Sequence, residues 1–188
     1  GLPVLWMGLF CFMVGYLYSF GPHPISSLPL GELFSGFTMG FMIVLLSVYI
    51  NSFQAFDWNW ITIGRIFLLA LADELWISNL MLANNLCDAQ EDEDNHRTTI
   101  IHFIGKKGGL IAFSVKNILA FLVIFLLPFL GIAPKTVWLT VIIVPFVYKQ
   151  NKILIGKQVK TETFITGVKT LLVGSLTYLI TYFLGILF

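Results

Sequence analysis

Five predominantly apolar runs punctuate this chain, at residues 2–19, 30–50, 61–83, 110–131 and 164–188, and a sixth, at 137–148, is shorter. A helix rises 1.5 Å per residue, so about 20 apolar residues cross the roughly 30 Å of bilayer hydrocarbon. Five runs meet that length. The sixth spans if Thr136 and Lys149 sit at its ends or the bilayer thins locally. Composition agrees: 57% of the 188 residues are hydrophobic and 11% charged, against about 25% charged in ordinary soluble domains. The fold class read from this is all-α, a polytopic transmembrane bundle of six helices forming one domain over 1–188. No internal repeat is visible. The first run lacks the basic flank and small-residue cleavage site of a secretory signal. A net charge of +1 gives no reason to expect a nucleic-acid partner, and Cys11 and Cys87 are too few for a disulfide framework.

Basic residues in short loops resist translocation, so their distribution orients the helices. Arg97, Lys106 and Lys107 follow the third run, and Lys149, Lys152, Lys157 and Lys160 follow the 137–148 run; the opposite loops hold only Lys135. Arg65, near the outer end of the third helix, is a second exception. The expected location is the cell (plasma) membrane. The acidic loop after the third helix and the loop "GPHPISSLPLGE" then face the cytosol, with both chain ends outside. The four late lysines are read as topology determinants.

The third helix carries the chemistry. At about 100° per residue, Glu74, Ser78, Met81, Asn84, Asn85, Asp88 and Asp92 share one broad face running from mid-membrane to the cytosolic rim. Asp88 and Asp92 are four residues apart, and Asn84 and Asn85 add neutral oxygens one turn earlier. Such an oxygen cluster suits a hard cation. Mg²⁺ keeps several waters and is commonly held by one or two carboxylates together with substrate phosphates, which makes a diphosphate the natural third party. A calcium loop starting at Asp92 fails, because Arg97 stands where the sixth-position glycine belongs.

Two segments carry a family resemblance. "NNLCDAQEDEDNHRTTIIHFIG" resembles the second aspartate-rich motif of the UbiA superfamily of membrane prenyltransferases, N-N-x-x-D-x-x-x-D followed by a basic residue and Thr. "YLYSFGPHPISSLPLGELFSG" resembles the segment before the fifth helix in that superfamily's 1,4-dihydroxy-2-naphthoate polyprenyltransferase branch. The resemblance covers the whole chain but only the last six of the family's nine helices, without the first aspartate-rich motif and the N-terminal half. It implies Mg²⁺-dependent transfer of a polyprenyl group from polyprenyl diphosphate to an aromatic acceptor, in menaquinone biosynthesis. In that reading Asp88 and Asp92 are catalytic, Asn84, Asp88 and Asp92 hold Mg²⁺, and Asn84, Asn85, Arg97 and Lys106 bind diphosphate. Cys87 departs from the arginine often found there, for which Lys106 or Lys107 substitutes. Tyr49 matches an occupied family position. Other acceptors, such as 4-hydroxybenzoate or heme, stay open under the same resemblance.

The chemistry is consistent with the composition. Ionising an allylic diphosphate makes a carbocation that water destroys, so a dry cavity lined with π faces is required; 18 Phe, six Tyr and five Trp make such faces available. His23 and His102 are read as interfacial. Asp73 and Glu74, mid-helix, need partners, neutrality or water, with Lys116 and Lys169 as candidate partners. Both lysines lie close enough to the cytosolic side to snorkel out. Glu91, Glu93 and Asp94 form a solvated turn. A transporter half would place polar groups on several facing helices, and a membrane scaffold would need no paired Asp.

Overall fold

A computed structural model describes residues 1–188. It contains α1 (Leu2–Ser19), α2 (Gly31–Ser52), α3 (Trp60–Cys87), a short α4 (Ala89–Asp94), α5 (Ile100–Leu126), α6 (Lys135–Gly156) and α7 (Lys160–Leu187), and no strand. All but α4 are long and apolar enough to cross a bilayer. Large apolar side chains such as Trp60, Phe129 and Ile142 stand exposed on the outside of the bundle. In hydrocarbon that outside is a lipid contact rather than a defect.

Several boundaries differ from those read off hydropathy, each for a physical reason. The 110–131 run is shifted: α5 starts at Ile100, because Lys106 and Lys107 tolerate a helix whose lipid-level stretch begins after them, and it ends at Leu126, two residues before Pro128. Gly105, at φ 67° and ψ 170°, breaks its second turn. The short 137–148 run is part of a 22-residue element, 3₁₀ over Lys135–Ile143 and α-helical over Val144–Gly156. Its last two turns carry Lys149 and Lys152, so hydropathy stops where the helix does not. Helix α3 continues through Asn84 and Asn85 to Cys87.

The middle of the bundle is α3, flanked by α2, α5 and α7. Trp76 is fully buried, with Phe121 edge-on at 5.9 Å and Ala72, Ala120, Ile124, Leu127, Val137 and Tyr178 around it. On the other side, Gly36 and Gly40 of α2 meet the backbone of Glu74, so that no side chain separates the two helices there. Small residues let helices approach closely in a solvent as apolar as their own side chains, where dispersion rather than hydrophobicity drives association. The same stretch, Gly36–Met42, is π-helical. Polar ties join the helices elsewhere: Asn79 Nδ2 donates to Phe113 O at 2.9 Å, Tyr178 Oη to Leu69 O at 3.0 Å, and Thr140 and Thr181 share a hydrogen bond at 2.9 Å. Arg65, the exception to the charge asymmetry, has a local reason to be there: its guanidinium donates to the Gly131 carbonyl at the end opposite the acidic loop.

Of the mid-helix acids, Asp73 finds a partner other than those expected, and Glu74 Oε2 is buried with none. Asp73 accepts from Ser175 Oγ at 2.5 Å, and Lys116 donates to Ser78 Oγ at 2.7 Å. The chain's three ion pairs are Arg97–Asp92, Lys157–Glu162 and Lys160–Asp88, so neither Lys116 nor Lys169 bridges to Asp73 or Glu74.

Candidate functional site

One end of the bundle gathers three loops. Arg97 Nη2 donates to Ser26 O at 2.9 Å and Thr98 N to Ser27 O at 2.9 Å, joining the acidic loop to the segment before α2. Lys160, at the start of α7, reaches Asn84 and Asp88 from the third side. These loops lie on one side, as the charge asymmetry requires.

Helix α3 ends on Asp88 (φ −93°, ψ 4°), whose amide donates to Asn84 O at 2.9 Å, and the same residue begins α4. The face expected to run unbroken to Asp92 is therefore bent at Asp88, although Asp92 N still donates to Asp88 O at 2.8 Å. The bend divides the candidate residues. Asn84 Nδ2 donates to Asp88 Oδ2 at 3.0 Å, and the Lys160 ammonium touches both Asn84 Oδ1 and Asp88 Oδ2. Asp92, 2% exposed, turns to Arg97: Nη1 lies 2.9 Å from Oδ1. That pair is not aligned as a hydrogen bond, so both Asp92 oxygens are buried without a donor. Burial pushes the Asp92 carboxyl above its ordinary range, and Arg97 works against that shift. Lys106 lines a rim cavity of roughly 310 Å³ together with Asp92, Arg97 and His102.

Asn85 faces another way. Its Nδ2 donates to Glu32 Oε1 at 2.8 Å, both residues being buried. Glu91, Glu93 and Asp94 are exposed, as expected, but on the short helix α4 and not in a turn; His23 and His102 are exposed too. Tyr49 packs against Phe56 and Trp58 at the other end of α2. Cys87 Sγ lies 3.7 Å from Thr163 Oγ1.

A divalent cation fits part of this donor set. Asn84 and Asp88 already converge their oxygens on one positive charge, the Lys160 ammonium, and Asp92 holds two buried oxygens without donors. No three His, Cys, Asp or Glu side chains converge on a single point. The arrangement suits an ion that takes few protein oxygens and completes its shell with water and phosphate, as Mg²⁺ does.

Two residues here are not marked by the sequence pattern. Lys160 reads as a topology determinant, and its partner Asp88 lies 72 positions away. Glu32 belongs to the quoted "GPHPISSLPLGE" segment, but nothing in its spacing points to Asn85, 53 positions on.

Six bilayer-length helices with carboxylate, amide and basic side chains gathered at one rim define an integral-membrane protein equipped to hold a polar, charged group at the edge of a greasy interior. A sequence profile of the UbiA prenyltransferase family matches residues 1–166, and the chain belongs to that family. It is 31% identical over 139 residues, 74% of its length, to a Bacillus subtilis (strain 168) protein described as 1,4-dihydroxy-2-naphthoate octaprenyltransferase. The aligned part amounts to 42% of that relative's length. No solved structure matches.

Proposed function

We propose that the full-length protein transfers a polyprenyl group from polyprenyl diphosphate to an aromatic acceptor, 1,4-dihydroxy-2-naphthoate, in a Mg²⁺-dependent step of menaquinone biosynthesis, at the cytosolic face of the cell membrane. The observation that carries this reading is the convergence of Asn84 and Asp88 on one cation, the Lys160 ammonium, at the bilayer rim, with Asp92, Arg97 and Lys106 lining a rim cavity past the bend at Asp88. Family membership supports prenyl transfer, and the described activity of the Bacillus subtilis relative supports the naphthoate acceptor.

In this reading Asn84, Asp88 and Asp92 hold Mg²⁺, which when bound neutralises charge on the departing diphosphate. The chain's own residues do the rest. Arg97 and Lys106 face the rim cavity and offer phosphate oxygens charge-assisted donors. Lys160, already on Asn84 and Asp88, is placed to exchange those oxygens for phosphate when the metal enters. Asn85 holds Glu32 and so fixes the start of α2 against α3. The apolar interior excludes the water that would quench an allylic cation.

The test is prenyl transfer by the full-length protein in membranes, with and without Mg²⁺, offering 1,4-dihydroxy-2-naphthoate and 4-hydroxybenzoate side by side. Transfer to the naphthoate alone, abolished by chelation, is the expected result; Mg²⁺-independent transfer or a preference for 4-hydroxybenzoate refutes it. The 188-residue chain expressed alone is expected to show no sustained turnover, because the resemblance implies a diphosphate held between two acidic motifs and this chain carries one. Lys160→Met is expected to weaken prenyl diphosphate binding about 10-fold, the worth of one charge-assisted hydrogen bond, with Lys160→Arg near wild type. Equal binding by Lys160→Met and wild type would remove Lys160 from the site.

A further inference from the structure

One further cavity, roughly 320 Å³, opens between α2, α3 and α5, and it holds three charged side chains that the diphosphate site does not use, Glu32, Glu74 and Lys116. Its polar lining is Glu32, Glu74, Ser78 and Lys116; leucine, isoleucine and alanine side chains supply most of the rest. Lys116 donates to Ser78 Oγ at 2.7 Å and pairs with no carboxylate. Glu74 Oε2 is buried without a hydrogen-bond partner. Glu32 is 6% exposed and is held through Oε1 by Asn85, next to Asn84 on the rim. A cation and an unsatisfied acceptor, both inside a hydrocarbon-level cavity, are costly unless a ligand completes them.

We propose that this cavity is the acceptor subsite, in which Lys116 and Ser78 bind the carboxylate of a hydroxylated aromatic acid while Glu74 accepts a hydrogen bond from a ring hydroxyl. The proposal rests on the prenyl-transfer reading and names residues for its acceptor. The complementarity is of three kinds. An ammonium with a neighbouring hydroxyl presents two donors to a carboxylate. A lone carboxylate oxygen presents an acceptor to a phenolic O–H. Apolar walls suit a flat ring between them. Glu32 ties the cavity to Asn85, the residue that follows Asn84 of the rim site on α3.

The roles separate by ligand. In the full-length protein in lipid nanodiscs, binding would be followed by tryptophan fluorescence for 1,4-dihydroxy-2-naphthoate and for 1,4-dihydroxynaphthalene, which keeps both hydroxyls and lacks the carboxylate. Lys116→Met is expected to weaken binding of the acid about 10- to 100-fold and leave the carboxylate-free ligand unchanged, with Lys116→Arg restoring most of the loss. Glu74→Gln is expected to weaken both ligands alike. Loss of both ligands in Lys116→Met with an unchanged melting temperature, or loss of neither, overturns the proposal. Prenyl diphosphate binding in Mg²⁺ is measured on the same samples. A wild-type protein that binds the diphosphate but neither naphthalene overturns the acceptor subsite and leaves prenyl transfer standing; one that binds no diphosphate sinks the underlying function.

Discussion

Replacing Asp88 by Asn in the full-length protein should cut prenyl transfer by about 10²- to 10³-fold, the range seen when a group stabilising developing charge is removed. The substitution is nearly isosteric, and Asp88 makes no side-chain cap to α4, so folding should survive. What is lost is one negative charge where Asn84 and Asp88 meet a cation. Asp92→Asn should act in the same direction and also leave Arg97 without its ion pair, although Arg97 keeps its bond to Ser26 O. Asp94 is the control: it is exposed, and its only side-chain contact is a 3.2 Å bond from Gln90. Asp94→Asn should therefore turn over normally. Initial rates of transfer to 1,4-dihydroxy-2-naphthoate, with melting temperatures for each variant, make the comparison. Equal rates for Asp88→Asn and Asp94→Asn would mean that the rim acids serve solvation and not chemistry.

That Asp94 stands exposed is legible in the sequence from helical spacing, although that spacing presumes a helix continuous through Asp88, where the structure bends. The number of spanning helices is legible for the same kind of reason: hydropathy is a property of a continuous segment. Pairing between segments is not. A charge in hydrocarbon invites a counter-charge, so lysines are the expected partners of Asp73 and Glu74. A serine meets Asp73 instead, and a serine takes Lys116, because side-chain hydroxyls from neighbouring helices are nearer than any charge. The bend at Asp88 is hidden too. Nothing in "NNLCDAQEDED" is a helix breaker such as Gly or Pro; the break falls at Asp88, a residue type that favours the first position of a helix, and Lys160 and the pre-α2 segment contact its two sides.

The second large effect lies in the packing that keeps these sites together. Gly40→Leu should destabilise the bundle severely, because a Cβ at position 40 would stand 2.7 Å from Glu74 Cα and 3.0 Å from Glu74 N. Those are backbone atoms of the central helix, and they cannot rotate away as a side chain would. Overpacking against movable side chains costs about 1–3 kcal/mol, and this contact should exceed that range. Gly36 is under the same restriction, with Glu74 O at 2.8 Å from its would-be Cβ. Forcing α2 off α3 also separates Glu32 from Asn85 and opens the cavity around Glu74, so binding should fail together with stability. Gly8 provides the comparison, since its Cβ would meet nothing within 4 Å on the exposed side of α1. Melting in detergent should show Gly8→Leu near wild type and Gly40→Leu well below it, with Gly40→Ala between. If Gly40→Leu melts with Gly8→Leu, then α2 has room to shift along α3, and the placement of Glu32 beside Asn85 is not set by this glycine contact.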